Sequence, residues 1–378
     1  MNMKNLIFRV SLFVFAMAQF TVSAQTIKTI QHNSTTRMYK EFIPASYSGT
    51  EAVPLLIGLH GLGDSINNFS SVGFQILGEF NNFITVYPQG VSGMAGTAWN
   101  AGVQYYGITV NGDIDDVSFI SALIDSLSED YNIDPRRIYL TGFSMGGFMV
   151  NRLACELSDK IAAIASVAGT RGNLITNCQP WRAVPFCHLH GTADGTVSFT
   201  ANIFGMNTLD LVSWWVTSNQ CNATPIETIL PDNVPGDGIV ITHFEYPDGN
   251  QGSNVEFYKA EGADHVWIHQ PTNDTTYTIL IWEFLKKHQL TTLDIDEQTV
   301  ESTFYVYPTV ASDYIWVSST MTTFPPSARL YSTCGQMTEK SVNTDGSINI
   351  SSLPQGIYIC EIQNPGKEPL RGKFIISR

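Results

Sequence analysis

Positive charge is scarce in this chain. Its 378 residues hold 20 lysines and arginines against 34 aspartates and glutamates, for a formal net charge of -14. A surface of that sign repels a phosphate backbone, so nucleic acid is excluded as a partner. Charge of either sign is sparse, at 14% of residues against an ordinary ~25%. Long apolar runs are also few. Val10–Phe20, broken by Ser11 and Gln19, is too short for a stable membrane anchor, and no later run reaches that length. No Cys/His cluster has zinc spacing, and no Gly-rich phosphate loop occurs. Asn111–Asp116 opens like a calcium loop but lacks the glycine and the final glutamate that such a loop requires, so its acids are read as caps of the following helix. No metal and no cofactor is expected.

What is present points outward. Lys4 and Arg9, the apolar run and the small residues Val22-Ser23-Ala24 read as a signal peptide cut after Ala24. Export allows the six cysteines to oxidise. Cys178 and Cys221 lie in polar loops and are the expected bridge, with Cys334–Cys360 as a second. Cys155 on a helix and Cys187 in an apolar strand are read as buried free thiols.

The pattern along the chain alternates strands and helices. A hairpin is expected over Ile27–Ile43, and strands at Val53–His60, Phe83–Tyr87, Ile138–Leu140, Ile161–Val167, Val184–His190 and Val255–Lys259. Helices are expected at Ile114–Leu127, after Gly146, at Asn207–Asn219 and at Thr275–His288, with Gln89–Gly112 a long loop and Asp134-Pro135 a break. This alternation predicts a mostly parallel sheet with helices on both faces over residues 25–290. A polar linker, 291–301, then leads to short strand-like runs separated by turns, read as a small all-β sandwich over 302–378.

One stretch carries chemistry. Gly142-Phe143-Ser144-Met145-Gly146 follows a short apolar strand and opens a helix, the context a nucleophile elbow requires. A serine nucleophile needs a base, an orienting acid and donors for an oxyanion, and on such a sheet the acid and base follow the serine in chain order. Asp194 lies just past the strand ending at His190. Asp210 and Asp248 are the rival acids, and neither leaves a clear strand end. His265 follows the last strand, with His269 as rival base; His60, His188 and His190 are read as structural. Backbone N–H groups of Met145 and Leu62 are the expected oxyanion donors. Trp99, Tyr105, Tyr106 and Trp267 are candidates to line a substrate pocket, with packing an equally good role for each.

These residues make Val53–Leu290 resemble the α/β-hydrolase fold, in its polyhydroxybutyrate depolymerase and feruloyl esterase group (carbohydrate esterase family 1). The resemblance rests on Leu59-His-Gly-Leu-Gly63, Asp115–Ile120, Tyr131–Arg137, Gly142–Gly147, Asn151–Cys155, Leu189-His-Gly-Thr-Ala-Asp194 and Trp215–Cys221. It implies a triad of Ser144, Asp194 and His265 and an ester substrate, feruloyl or acetyl esters of plant polysaccharide or a hydroxyalkanoate polyester. Leu62 stands where that group often has cysteine, and His265 follows Asp264 where glycine is common. The segment from Tyr307, with Leu353–Tyr358 and Lys373–Ile376, resembles a type IX secretion sorting domain. It implies the type IX secretion machinery as a partner and a secreted or cell-surface location. A serine peptidase and a non-catalytic binding protein are the competing classes. The first lacks an evident gating domain or charged specificity site, and an intact triad speaks against the second.

Overall fold

The computed structural model describes residues 25–290, 305–318, 327–332, 337–362 and 370–377. They fall into two compact units, one up to residue 292 and one from residue 293. The expected signal peptide and linker lie outside the described residues, as does Cys334.

In the first unit the strands are β1 (Thr26–His32), β2 (Thr35–Phe42), β3 (Val53–Leu59), β4 (Ile84–Pro88), β5 (Val91–Gly93), β6 (Gly96–Ala98), β7 (Gln104–Tyr105), β8 (Ile108–Thr109), β9 (Ile133–Phe143), β10 (Ala163–Val167), β11 (Phe186–Gly191), β12 (Ile226–Ile229), β13 (Val240–Tyr246) and β14 (Val255–Glu261). The helices are α1 (Ile66–Phe69), α2 (Phe74–Asn81), α3 (Asp116–Asp130), α4 (Met145–Glu156), α5 (Thr208–Ser218) and α6 (Tyr277–Leu285). Ten strands make one sheet in the order β1-β2-β4-β3-β9-β10-β11-β14-β13-β12. The centre, β4 through β14, is parallel, and antiparallel pairs flank it on both sides.

Every residue of β3, β10 and β11 is buried, as parallel strands covered on both faces must be. Alternate residues of β3 enter different cores. Leu55, Ile57 and Leu59 pack with Phe119 of α3, Phe148 of α4 and Trp215 of α5, whereas Leu56 packs with Phe69, Phe74 and Trp282 of α1, α2 and α6. Helix α3 forms where its apolar residues recur on one face (Phe119, Ile120, Leu123, Ile124, Leu127), and the Asp115 side chain caps it by accepting from the Ser118 N–H.

Three features depart from the sequence reading. Asp134-Pro135 does not break the chain. Strand β9 runs through it, with a register irregularity against β3 between Val53 and Leu55, and Asp134 instead anchors Arg136 and Arg137. The 89–112 segment is not a plain loop, because it contains the hairpins β5–β6 and β7–β8. Strands β12 and β13 were not expected. Every residue of β12 is exposed, so it has no apolar run to read; backbone pairing at the sheet edge makes it a strand.

The disulfide also differs. Cys155, in the last turn of α4, bonds to Cys178, with their Cα atoms 5.1 Å apart. Cys221, the expected partner of Cys178, is a free thiol, as are the buried Cys187 and Cys360. The helix brings Cys155 back against the loop after β10, a proximity that spacing alone does not reveal. The bridge closes a separation of 23 residues and ties the elbow helix to that loop. Replacing both cysteines by alanine is expected to cost about 3 kcal/mol of stability, measured by denaturant unfolding, with the rate per active site preserved. Alkylation without reductant should leave Cys155 and Cys178 unlabelled.

The second unit comprises β15 (Tyr305–Tyr307), β16 (Val310–Ala311), β17 (Tyr314–Ser318), β18 (Ser327–Ser332), β19 (Met337–Ser341), β20 (Ser347–Asn349), β21 (Gly356–Ile362) and β22 (Leu370–Ile376). They form a sheet ordered β15-β17-β20 and another ordered β16-β22-β21-β18-β19. Ile315, Leu330, Ile348, Cys360 and Phe374 are fully buried in its core.

Candidate active site

The parallel strands deliver three side chains to one edge of the sheet. Ser144 follows β9, Asp194 follows β11 and His265 follows β14, and these strands are close neighbours in the sheet. Carboxyl ends of parallel strands share an edge, so the loops that leave them meet.

Ser144 is the N-cap of α4, with φ +53° and ψ -118°. A residue with a side chain rarely holds such angles, which cost of order 1–3 kcal/mol and persist only where the surroundings enforce them. Here a strand turns at once into a helix, and Ser144 N–H is pinned to the Val167 carbonyl of β10 at 2.9 Å. The turn is possible because its flanks are glycine. A Cβ on Gly142 would strike the backbone of Gly146, and one on Gly146 would strike the carbonyls of Leu59 and His60.

The loop after β3 lies against this corner. The position of a Cβ on Gly61 is 3.4 Å from Ser144 Cβ. Among the described residues no backbone carbonyl accepts from the Leu62 N–H, whereas its neighbour Gly63 donates to Thr97 O at 2.7 Å. The Met145 N–H belongs to the first turn of α4, where helical partners are missing and negative charge is favoured. His60 shapes the loop. Its Nδ1 donates to Gly61 O at 2.7 Å, and its Nε2 accepts from Gly90 N–H at 2.9 Å. Burial pushes the imidazole pKa down, so it stays neutral in that role.

His265 Nδ1 donates to Asp194 Oδ2 at 2.7 Å. The Asp194 side chain is fully buried, and its Oδ1 accepts from the Thr196 and Val197 N–H groups at 2.8 and 2.7 Å. Burial alone would raise this carboxyl's pKa. Donors from His190 and His265 outweigh it and hold the carboxyl well below the usual carboxylate range. The His265 ring packs on Phe143, the residue before Ser144, with centroids 4.8 Å apart. This contact fixes the imidazole beside the elbow.

Two supports were not legible in the sequence. Asp264 Oδ1 accepts from Gly195 N–H at 3.0 Å and from His265 N–H at 2.7 Å, stapling the loop of Asp194 to that of His265. Its carboxylate bonds backbone N–H groups and not the His265 ring. Phe143 occupies the variable place of the elbow pattern, where residue type carries no signal. Neither the rival base nor the remaining rival acids join this network. His269 is exposed, with its ring directed at Trp267 O, Asp210 bonds Asn207, and Asp248 is exposed.

The aromatic candidates divide. Trp99 is fully buried and its Nε1 donates to His60 O at 2.9 Å, so it braces the loop and cannot touch a substrate. Trp267 is half-buried among Phe69, Phe74, Phe143 and Tyr277, which fixes the loop carrying His265. Tyr105 and Tyr106 stand exposed on the β7–β8 hairpin, Tyr105 against Phe204.

The loop–elbow contact makes a contrast testable. Leu62→Ala is expected to keep kcat within about threefold, because the donor is backbone. Gly146→Ala pushes a methyl into the Leu59 and His60 carbonyls and is expected to lower kcat by about 10²–10³, the scale of one lost oxyanion donor. Rates per titrated active site separate this effect from misfolding.

Residues 45–213 match the family model described as Phospholipase/Carboxylesterase, and residues 305–377 match that of the Secretion system C-terminal sorting domain. The chain is 31% identical over 235 residues to feruloyl esterase B of Piromyces equi, covering 59% of this chain and 41% of that protein. It is 34% identical over 147 residues to the bifunctional acetylxylan esterase/xylanase XynS20E of Neocallimastix patriciarum, covering 39% and 20%. It is 27% identical over 280 residues to feruloyl esterase D of Neurospora crassa, covering 70% and 86%. The chain thus spans less than half the length of the first two. The first unit has the α/β-hydrolase fold, and the sorting domain marks the chain for the cell surface or the extracellular space. No helix among the described residues is long and apolar enough to cross a membrane.

Proposed function

We propose, for a chain with a phospholipase/carboxylesterase-family unit and a secretion sorting domain, that it is a secreted serine esterase. Ser144 Oγ attacks the ester carbonyl carbon. His265 Nε2 takes the serine proton and returns it to the departing alcohol, while Asp194 holds Nδ1–H and stabilises the imidazolium. The Met145 and Leu62 N–H groups receive the oxyanion. Water, deprotonated by His265, then releases the acid from the acyl-enzyme. The observation that carries this reading is the 2.7 Å His265–Asp194 bond beside a serine held at φ +53°.

The substrate class follows from the relatives, which are named for feruloyl and acetylxylan esters. Feruloyl or acetyl esters of plant polysaccharide are the proposed substrates. Tyr105 and Tyr106 are the exposed aromatics offered to an acyl group or a sugar face, and the sorting domain engages the type IX machinery. Methyl ferulate, feruloylated xylan, acetylated xylan and polyhydroxybutyrate, each incubated with wild type and Ser144→Ala, test the reading. Release of ferulate or acetate by wild type alone is expected. Release of hydroxybutyrate alone would reassign the chain to polyester, and no release from any ester would sink the esterase reading.

A further inference from the structure

The triad acid has a second imidazole on the oxygen that holds the base. His190 Nε2 lies 3.2 Å from Asp194 Oδ2 and 2.8 Å from Val197 O, and both side chains of the His190–Asp194 pair are fully buried. A carbonyl can only accept, so Nε2 carries the hydrogen and shares it between the two oxygens. Nδ1 is the ring's other polar atom. It faces His188 Nε2 and Thr208 Oγ1, each at 3.1 Å. Burial drives the His188 pKa well down, so that ring is neutral, and its Nε2 faces His190 Nδ1. A line of buried polar contacts therefore runs from His188 through His190 to Asp194, and a second reaches Asp194 from His265. Such chains polarise one another where water is excluded.

Resting on the esterase reading, we propose that His190 is a positioning residue for the triad acid. Its Nε2–H shares Asp194 Oδ2 with His265 Nδ1–H, which holds that oxygen in place and limits how strongly it draws the His265 proton. The charged and titratable groups facing His190 are His188 on its own strand, Asp194 in the following loop and Lys259, its register partner on β14, whose ammonium pairs with Glu261 at 3.4 Å. Helix α5 presents the uncharged Thr208 hydroxyl. Facing His265 are Asp194, the Phe143 ring and, through its backbone, Asp264.

Two substitutions differing by one methylene test this. In His190→Gln an amide N–H can reach the Nε2 position; in His190→Asn it falls short. On an ester cleaved by wild type and not by Ser144→Ala, His190→Asn is expected to lower kcat per titrated site by about tenfold, the order expected for losing a hydrogen bond to a charged group. KM should stay within about twofold. The acid limb of kcat/KM should move up by about half a pH unit, because an unshared Oδ2 draws the His265 proton harder. His190→Gln should restore both. A His190→Asn enzyme with wild-type kcat and an unmoved limb overturns the proposal, as does His190→Gln failing alongside it. Nitrogen NMR of wild-type His190 needs no variant. A proton on Nε2 across the active pH range is expected, and one on Nδ1 overturns the assignment. Wild type inactive on every ester would remove the esterase reading itself, and the NMR tautomer distinguishes that outcome from a misplaced hydrogen bond.

Discussion

Ser144→Ala is expected to reduce ester hydrolysis by about 10⁴–10⁶-fold, with KM little changed and the fold intact. The serine side chain is small and half-exposed, and the strained corner is held by backbone, by the Val167 carbonyl on one side and the α4 helix on the other. Removing one oxygen therefore deletes the proposed nucleophile without loosening its mount. His265→Ala is expected to be equally dead, and the double variant scarcely worse, because nucleophile and base act as a unit. His269→Ala should retain activity, since its ring is turned to Trp267 O. Single-turnover hydrolysis of a nitrophenyl ester checks all four variants. A dead His269→Ala beside an active His265→Ala would overturn the assignment of the base.

The second large effect lies at a buried ion pair in the core. Arg37 and Asp116 form a buried pair at 2.7 Å, with side chains 4% and 0% exposed. The guanidinium lies 3.7 Å over the Phe119 ring, and Asp116 Oδ2 accepts from the Asn100 N–H at 2.7 Å. Even here the Arg37 Nε has no hydrogen-bond partner among the described residues. Asp116→Ala strands a cation and a backbone donor in the core, and is expected to cost about 3–5 kcal/mol, or about 10 °C in Tm for a unit of this size. The damage should reach the site. Asn100 is next to Trp99, which holds His60, and His60 holds the loop bearing Leu62. A fall in kcat of about tenfold in the surviving folded enzyme is the companion expectation, on the scale of a weakened oxyanion donor. Calorimetry and rates per titrated site measure the two parts. An unchanged Tm would refute the account of the pair.

Much of this was written along the chain. The elbow pattern, the apolar runs of β3, β10 and β11, and the one-sided apolar face of α3 are local, because burial on both faces or on one stripe dictates residue type directly. Asp194 and His265 could be placed because each follows a strand, and parallel strands end at a common edge. The edge strand β12 escaped notice because exposed pairing leaves no apolar signature.

What the tertiary structure alone decided was contact between segments distant in sequence. Cys155, not Cys221, meets Cys178, because a helix folds back on a loop. Trp99 points into the core and not into a pocket. Phe143 props the base, Asp264 staples its loop to the acid loop, and His190 shares the acid's oxygen with His265. The sequence by itself determined most of the buried elements and the elbow pattern, and pointed to Ser144, Asp194 and His265 as the proposed reacting groups, since period, turn chemistry and chain order are properties of short stretches. Which neighbours hold those groups in place depends on distances across the sheet, and these exist only once the strands have paired and the loops have met.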